Sequence, residues 1–150
     1  MEKVNLNGGM PPALRDGDVP LMTASEFATQ TVDDRIYDTR LPEAYASGHI
    51  SDSYSVWLGG LPVFGGWLAD GSSPIYLVTD RDDDVDTGVR HLSNIGFDNV
   101  CGALAGGFES WRDAGREIGR GGVITPHELN EMDETAQVLD VRDADEFDGG

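Results

Sequence analysis

Six polar residues in a row, Thr79-Asp80-Arg81-Asp82-Asp83-Asp84, stand between a four-residue apolar run, Ile75-Tyr76-Leu77-Val78, and an amphipathic pattern that begins with Val85, Val89 and Leu92. An apolar run that short reads as a buried strand, and the pattern after it as a helix. The six residues are then the loop from the carboxyl end of a strand into a helix. Ligands collect at such loops in open α/β sheets, because the first helical N–H groups are unpaired and point into them. The reagents for covalent chemistry are missing here: the loop holds no cysteine, serine or histidine. A threonine hydroxyl has no accessible anion at neutral pH, and Asp80, Asp82, Asp83 and Asp84 stand where an anionic substrate would bind. Clustered carboxylates suit hard cations, but these lack the spacing and distal glutamate of a helix-loop-helix calcium site. The loop reads as a solvated acidic segment whose charge favours the helix N-terminus behind it, with no metal and no cofactor expected.

Other reactive side chains are scarce. His49 could serve as a general base only beside a nucleophile, and no cysteine or elbow serine motif accompanies it. Cys101, the single cysteine, falls on a short apolar segment and is expected to be a small buried hydrophobe, not a nucleophile. Asp38 and Arg40 are two apart at a strand end, so both side chains lie on one side. There the aspartate can cap backbone N–H groups and the arginine can bridge to a carboxylate such as Glu43. His49 is expected to hydrogen-bond near the same strand end. Gly106 and Gly107 read as a backbone turn, weak evidence for phosphate binding. Phe108 and Trp111, three apart, place two rings on the core face of one helix.

The elements that must position these residues can be read in order. Thr23-Ala24-Ser25-Glu26 offers a capping box, in which hydroxyl and carboxylate satisfy each other's backbone N–H groups, opening a short helix to about Thr29. Arg35 to Asp38 is a strand. Pro42 opens a further short helix, closed by Gly48 as a left-handed cap, and Ser53 to Val56 is the next strand. Trp57 to Ser73, rich in glycine, reads as a long excursion with one helical turn at Val63 to Leu68. Gly96 caps the helix after the acidic loop, Asn99-Val100-Cys101 begins another strand, and the helix carrying Phe108 and Trp111 ends near Gly115. Strands alternating with helices predict a parallel sheet covered on both faces, an α/β fold.

The chain has 150 residues, enough for one complete domain. Its net charge of −18 comes from 28 acidic against 10 basic residues, and Lys3 is the only lysine. Such a balance argues against nucleic acid and anionic membranes as partners. A carboxylate surplus with almost no lysine suits a high-salt cytosol, where screening relieves self-repulsion. One cysteine allows no intrachain disulfide, which fits a reducing compartment. No apolar stretch approaches the length of a membrane span, and the first 20 residues lack the basic start and apolar core of a signal peptide. A cytoplasmic location is expected.

The tail repeats the head. Thr125-Pro126-His127-Glu128 is a second capping box, 102 residues after the first. At the same offset Asp140-Val141-Arg142 matches Asp38-Thr39-Arg40, Phe147 matches Tyr45 and Gly150 matches Gly48. The tail reads as the opening of a second copy of the domain, stopping where the counterpart of His49 would come.

The segment Asp38-Thr39-Arg40-Leu41-Pro42-Glu43-Ala44-Tyr45-Ala46-Ser47-Gly48-His49-Ile50 resembles the opening signature of rhodanese-like sulfurtransferase domains, an acidic-x-Arg element followed by E-x-x-x-x-G-H-I. The closing signature is similar too: Gly96-Phe97-Asp98-Asn99-Val100, then Leu104, Gly106, Gly107, Trp111 and Gly115, follow G-F/Y-x-N-V and L-x-G-G-x-x-x-W-x-x-x-G. The resemblance covers about Pro20 to Ile118. It implies a three-layer fold with a central parallel sheet flanked by helices: residues 1–20 a linker or arm, 21–120 the domain, 121–150 the truncated start of the second repeat. In that family the loop after the central strand carries a catalytic cysteine, whose thiolate is stabilised by loop N–H groups and the following helix and holds a persulfide between donor and acceptor. Counting back from Leu92 and Gly96, that position falls on Thr79. The resemblance therefore implies a degenerate active-site loop, Thr79 to Asp84, with no catalytic residue, and structural roles for Asp38, Arg40, Glu43, Gly48, His49, Gly106, Gly107 and Trp111.

A narrower resemblance concerns architecture. Degenerate rhodanese-like modules with an acidic stretch followed by a sequence like Arg90-His91-Leu92-Ser93-Asn94-Ile95-Gly96-Phe97-Asp98-Asn99-Val100 are similar to those behind metallo-β-lactamase-fold domains in glyoxalase II-like hydrolases and persulfide dioxygenases. This implies a covalently linked hydrolase domain, with Lys3 to Gly9 in the connecting arm, and a haloarchaeal source. The expected function is docking and spacing in a multidomain sulfur-metabolism protein. The alternatives are a working thiosulfate or persulfide sulfurtransferase and a stand-alone regulatory binding module.

Overall fold

The computed structural model describes residues 19–32, 34–68, 73–122, 124–132, 137–139 and 146–147. Five strands, β1 (Leu21–Met22), β2 (Arg35–Asp38), β3 (Tyr54–Ser55), β4 (Ile75–Val78) and β5 (Val100–Leu104), form one sheet in the order β1-β5-β4-β2-β3. Every pairing is parallel. Among the described residues the helices α1 (Ala24–Gln30), α2 (Pro42–Ser47), α3 (Leu61–Phe64), α4 (Val85–Asn94), α5 (Gly107–Asp113) and α6 (Pro126–Glu131) accompany them. Short 3-10 turns flank α3 at Leu58–Gly60 and Gly65–Trp67, and another, Asp82–Asp84, leads into α4. The expected α/β fold, a central parallel sheet flanked by helices, is the one observed.

The period of two along a strand divides the core. In β4 all four residues are buried. Ile75 and Leu77 join Tyr37, Val56, Leu61, Val89 and Leu92 on one face, while Tyr76 and Val78 join Phe27, Ile36, Leu104, Phe108 and Trp111 on the other. A strand buried on both sides must be apolar throughout, which is why the run Ile75 to Val78 lacks alternation. The paired rings Phe108 and Trp111 are core, as their spacing indicated, and the Trp111 ring meets Phe27 edge-on at 6.3 Å.

Four local readings need correction. Gly48 closes α2 in an extended conformation (φ 173°), not a left-handed one. Its lack of a side chain serves packing instead, since a Cβ there would come within 3.1 Å of the Phe108 ring. The stretch after Trp57 is more helical than one turn: α3 runs from Leu61 to Phe64 between two 3-10 turns, because Pro62 suits a first helical turn. β3 is only Tyr54–Ser55, shorter than Ser53 to Val56. Cys101 is exposed, not buried. The β4–β5 register shifts there, Ile75 pairing with Val100 and Tyr76 with Gly102, so Cys101 is the extra residue of a bulge in an otherwise buried strand.

Both capping boxes form. The Thr23 hydroxyl accepts from the Glu26 N–H while the Glu26 carboxylate accepts from the Thr23 N–H at 2.9 Å, and Thr125 and Glu128 do the same at α6. The two helices differ in packing: α1 buries Ala24 and Phe27, whereas α6 buries nothing. Of the features that suggested a repeat, Asp140, Val141, Arg142 and Gly150 lie outside the described residues, as does all of the arm before Val19, with Lys3 to Gly9 in it.

Candidate functional site

The acidic loop leaves the carboxyl end of β4, a central strand, and enters α4. Thr79 is fully buried at its start. Its hydroxyl donates to the Arg81 carbonyl at 2.9 Å, closing a local turn. Further along, the Asp82 carboxylate accepts a hydrogen bond from the Gly106 N–H at 2.8 Å, so the loop brings its own anion to the turn that opens α5. That turn is tight: Gly106 and Gly107 both have positive φ, 71° and 59°. A Cβ on Gly107 would lie 2.3 Å from the Thr79 carbonyl oxygen, a distance that only glycine avoids.

Asp38 and Arg40 sit beside this loop at the end of β2. The expected bridge from Arg40 to Glu43 is not made. Arg40 instead closes a two-point ion pair on Asp38, Nε to Oδ1 at 2.8 Å and Nη2 to Oδ2 at 2.5 Å, and also donates to the Gly48 carbonyl at 2.8 Å. Its guanidinium lies over the Phe108 ring at 4.1 Å. A planar fork facing a carboxylate two residues away needs less side-chain ordering than a reach to α2, and both partners are buried, which strengthens the pair. The Asp38 carboxylate caps the Arg40 N–H as expected. Glu43 is exposed in the first turn of α2, where its charge favours the helix dipole.

His49 is also placed differently from expectation. Its ring stacks on Tyr45 at 3.9 Å, nearly coplanar, and Nδ1 lies 3.0 Å from the Tyr45 carbonyl. Its backbone exchanges two hydrogen bonds with Gly119. The residue thus pins the chain after α5 onto the end of α2 and does not face the loop. Trp111 makes a similar link, its indole N–H donating to the Glu117 carbonyl at 2.8 Å.

A depression of about 250 Å³ lies over the loop, lined in part by Arg40, Thr79, Asp80, Phe108, Glu109 and Arg112. Arg112 reaches Glu109 at 3.6 Å and Asp113 at 3.4 Å on the surface, and Arg40 is spent on Asp38. The depression therefore offers few uncommitted cations to an anionic donor, and its one loop hydroxyl is turned away into a backbone bond. Among the described residues no group of three or more histidine, cysteine or carboxylate side chains converges to hold a metal ion. Also among them, no helix is long and apolar enough to cross a membrane.

Comparison with known proteins agrees on the fold. The sequence profile of the rhodanese-like domain family matches residues 23–114. Among solved structures, a thiosulfate sulfurtransferase from Pseudomonas aeruginosa is 24% identical with a TM-score of 0.58, covering 71% of this chain but only 22% of its own. The chain thus spans under a quarter of that enzyme. A rhodanese-like domain from Anabaena sp. is 21% identical with a TM-score of 0.58, over 83% of this chain and 91% of its own. A Rhodopseudomonas palustris protein of unknown function, described as a "Possible Tyrosine Phosphatase", is 22% identical with a TM-score of 0.53, over 74% and 100%. No curated protein matches the chain.

Proposed function

The chain belongs to the rhodanese-like domain family, and from that premise we propose that it is a catalytically degenerate member, a docking and structural module of a multidomain sulfur-metabolism protein. By motif spacing Thr79 falls in the place of the family's nucleophile, and its setting at the start of the loop is the observation that carries this reading. It is buried, and its hydroxyl is committed to the Arg81 carbonyl. A persulfide carrier needs a thiolate with a lowered pKa, reachable by donor and acceptor. The acidic loop supplies the opposite environment, and Asp82 already occupies the Gly106 N–H that an incoming anion could use. The linked metallo-β-lactamase-fold hydrolase and the second repeat beginning near residue 121 belong to the same proposal. The 102-residue offset and the second capping box support the repeat.

The test is to restore the chemistry in steps. Thr79→Cys alone should form no persulfide visible by intact-mass spectrometry after exposure to thiosulfate, since like charge raises a thiol pKa and repels the donor. Adding Asp80→Ser, Asp82→Gly, Asp83→Asn and Asp84→Arg, which removes the loop charge and frees the Gly106 N–H, should allow the adduct. Ready formation by the single variant would show that loop charge is not what forbids the chemistry.

A further inference from the structure

Between Asp52 and Asp70 the sequence has no charged residue, in a chain of net charge −18. This stretch turns several of its large apolar side chains outward: Trp67 is 83% exposed, Val63 62%, and Trp57 and Phe64 41% each. The rings touch in series, Trp57 with Phe64 at 5.4 Å and Phe64 with Trp67 at 6.4 Å between centroids. With Ser55, Val56 and Leu68 they line an open groove of about 300 Å³. A contiguous exposed apolar patch ringed by polar surface is the usual mark of an interaction site.

The backbone beside the groove indicates what shape would fill it. Among the described residues β3 is the last strand of the sheet, and the N–H of Val56, just after it, donates to the Asp38 carbonyl of β2 at 3.0 Å. Alternation along the strand then directs the N–H and C=O of Ser55 away from β2, on the open edge. An open edge is a template for a further strand, and an apolar groove alongside it accepts the alternate side chains of that strand. A second copy is a poor occupant. Three rings and a valine offer less than the ~800 Å² per partner of a stable interface, and two copies of charge −18 repel on approach. Charge complementarity favours an apolar segment with basic ends.

We propose that the groove between β3 and α3 binds an extended, apolar segment of another polypeptide flanked by basic residues, which adds to the sheet beside Ser55. The proposal rests on the reading of this chain as a docking module, but its readout is separate. Sulfur transfer would sink that reading whatever the groove binds, and an empty groove would leave the inert loop unaffected.

The probe is the capped nonapeptide RRVTVLVRR, with EEVTVLVEE as its acidic counterpart, titrated by calorimetry and tryptophan fluorescence at the lowest salt at which the fold persists. The basic peptide should bind at least tenfold more tightly than the acidic one. Binding should also fall at least tenfold in Trp67→Ala, which removes the most exposed ring, and in Ser55→Pro, which removes the edge N–H where proline is tolerated. Circular dichroism checks that each variant folds, and either one that does is sufficient. Equal affinity for the two peptides, no binding of the basic one, or binding unchanged in a folded variant would overturn the proposal. So would a concentration-dependent dimer, seen by sedimentation, that Trp67→Ala dissolves, because the groove would then belong to a second copy.

Discussion

At the scale of single residues, the most consequential interaction is the buried pair of Asp38 and Arg40. Removing one member leaves the other charged in a dry site, so Asp38→Ala should cost about 3–5 kcal/mol in urea unfolding. A loss below about 1 kcal/mol, the worth of a surface pair, would contradict the burial argument. Tyr37 gives a pH prediction. Burial pushes its phenol up to about 12 from an ordinary value of 10.0, and its hydroxyl donates to the Gly65 carbonyl at 2.9 Å. The folded protein therefore binds this proton more tightly than the unfolded chain. The contribution is complete below pH 10 and is lost as pH rises towards 12. Tyr37→Phe should flatten the loss of stability across that window, and an unchanged slope would rule the phenol out. The sequence made Asp38 and Arg40 legible as a pair on one side of a strand end, because that follows from a period of two. The choice of Asp38 over Glu43 was not legible, since it depends on where α2 swings. Likewise His49 could not be read as a clasp before the chain at Gly119 was seen beside it.

At the scale of elements, periodicity and caps carried most of the fold. β4 and α4 were plain in the pattern from Ile75 to Gly96, and both capping boxes form where their residues indicated. The glycine-rich stretch after Trp57 was not legible. Its helical turns are set by packing of Leu61 into the core and by Gly65 and Gly66 lying close to Leu92, Ile95 and Phe97. None of this leaves a period in so short a segment. The exposure of Cys101 was not legible because the β4–β5 register shifts between Ile75 and Tyr76 and leaves Cys101 as the extra, outward-turned residue of a bulge, which apolarity of the strand does not signal. The two boxes yield a paired prediction. Thr23→Ala should lower domain stability by about 1 kcal/mol, a typical loss for an N-cap, because α1 is anchored in the core by Phe27. Thr125→Ala should leave the main unfolding transition in place, because α6 buries no residue. Equal losses from the two would mean that α6 unfolds together with the domain.

At the scale of the whole molecule, net charge and loop chemistry act together. With −18 spread over 150 residues, repulsion should be relieved as salt shortens the screening distance from ~10 Å at 0.1 M to ~3 Å at 1 M. The melting temperature should rise across that range, and a flat profile would remove the case for a high-salt setting. The family fold is shared with a thiosulfate sulfurtransferase, so the central claim is that this chain keeps the scaffold without its reaction. Sulfur transfer from thiosulfate to cyanide, followed as thiocyanate formed by the purified chain and by Cys101→Ser, tests that most directly. No turnover above the protein-free rate is expected for either. Turnover that survives Cys101→Ser would contradict it outright, and turnover abolished by that substitution would make this chain a sulfurtransferase acting through Cys101.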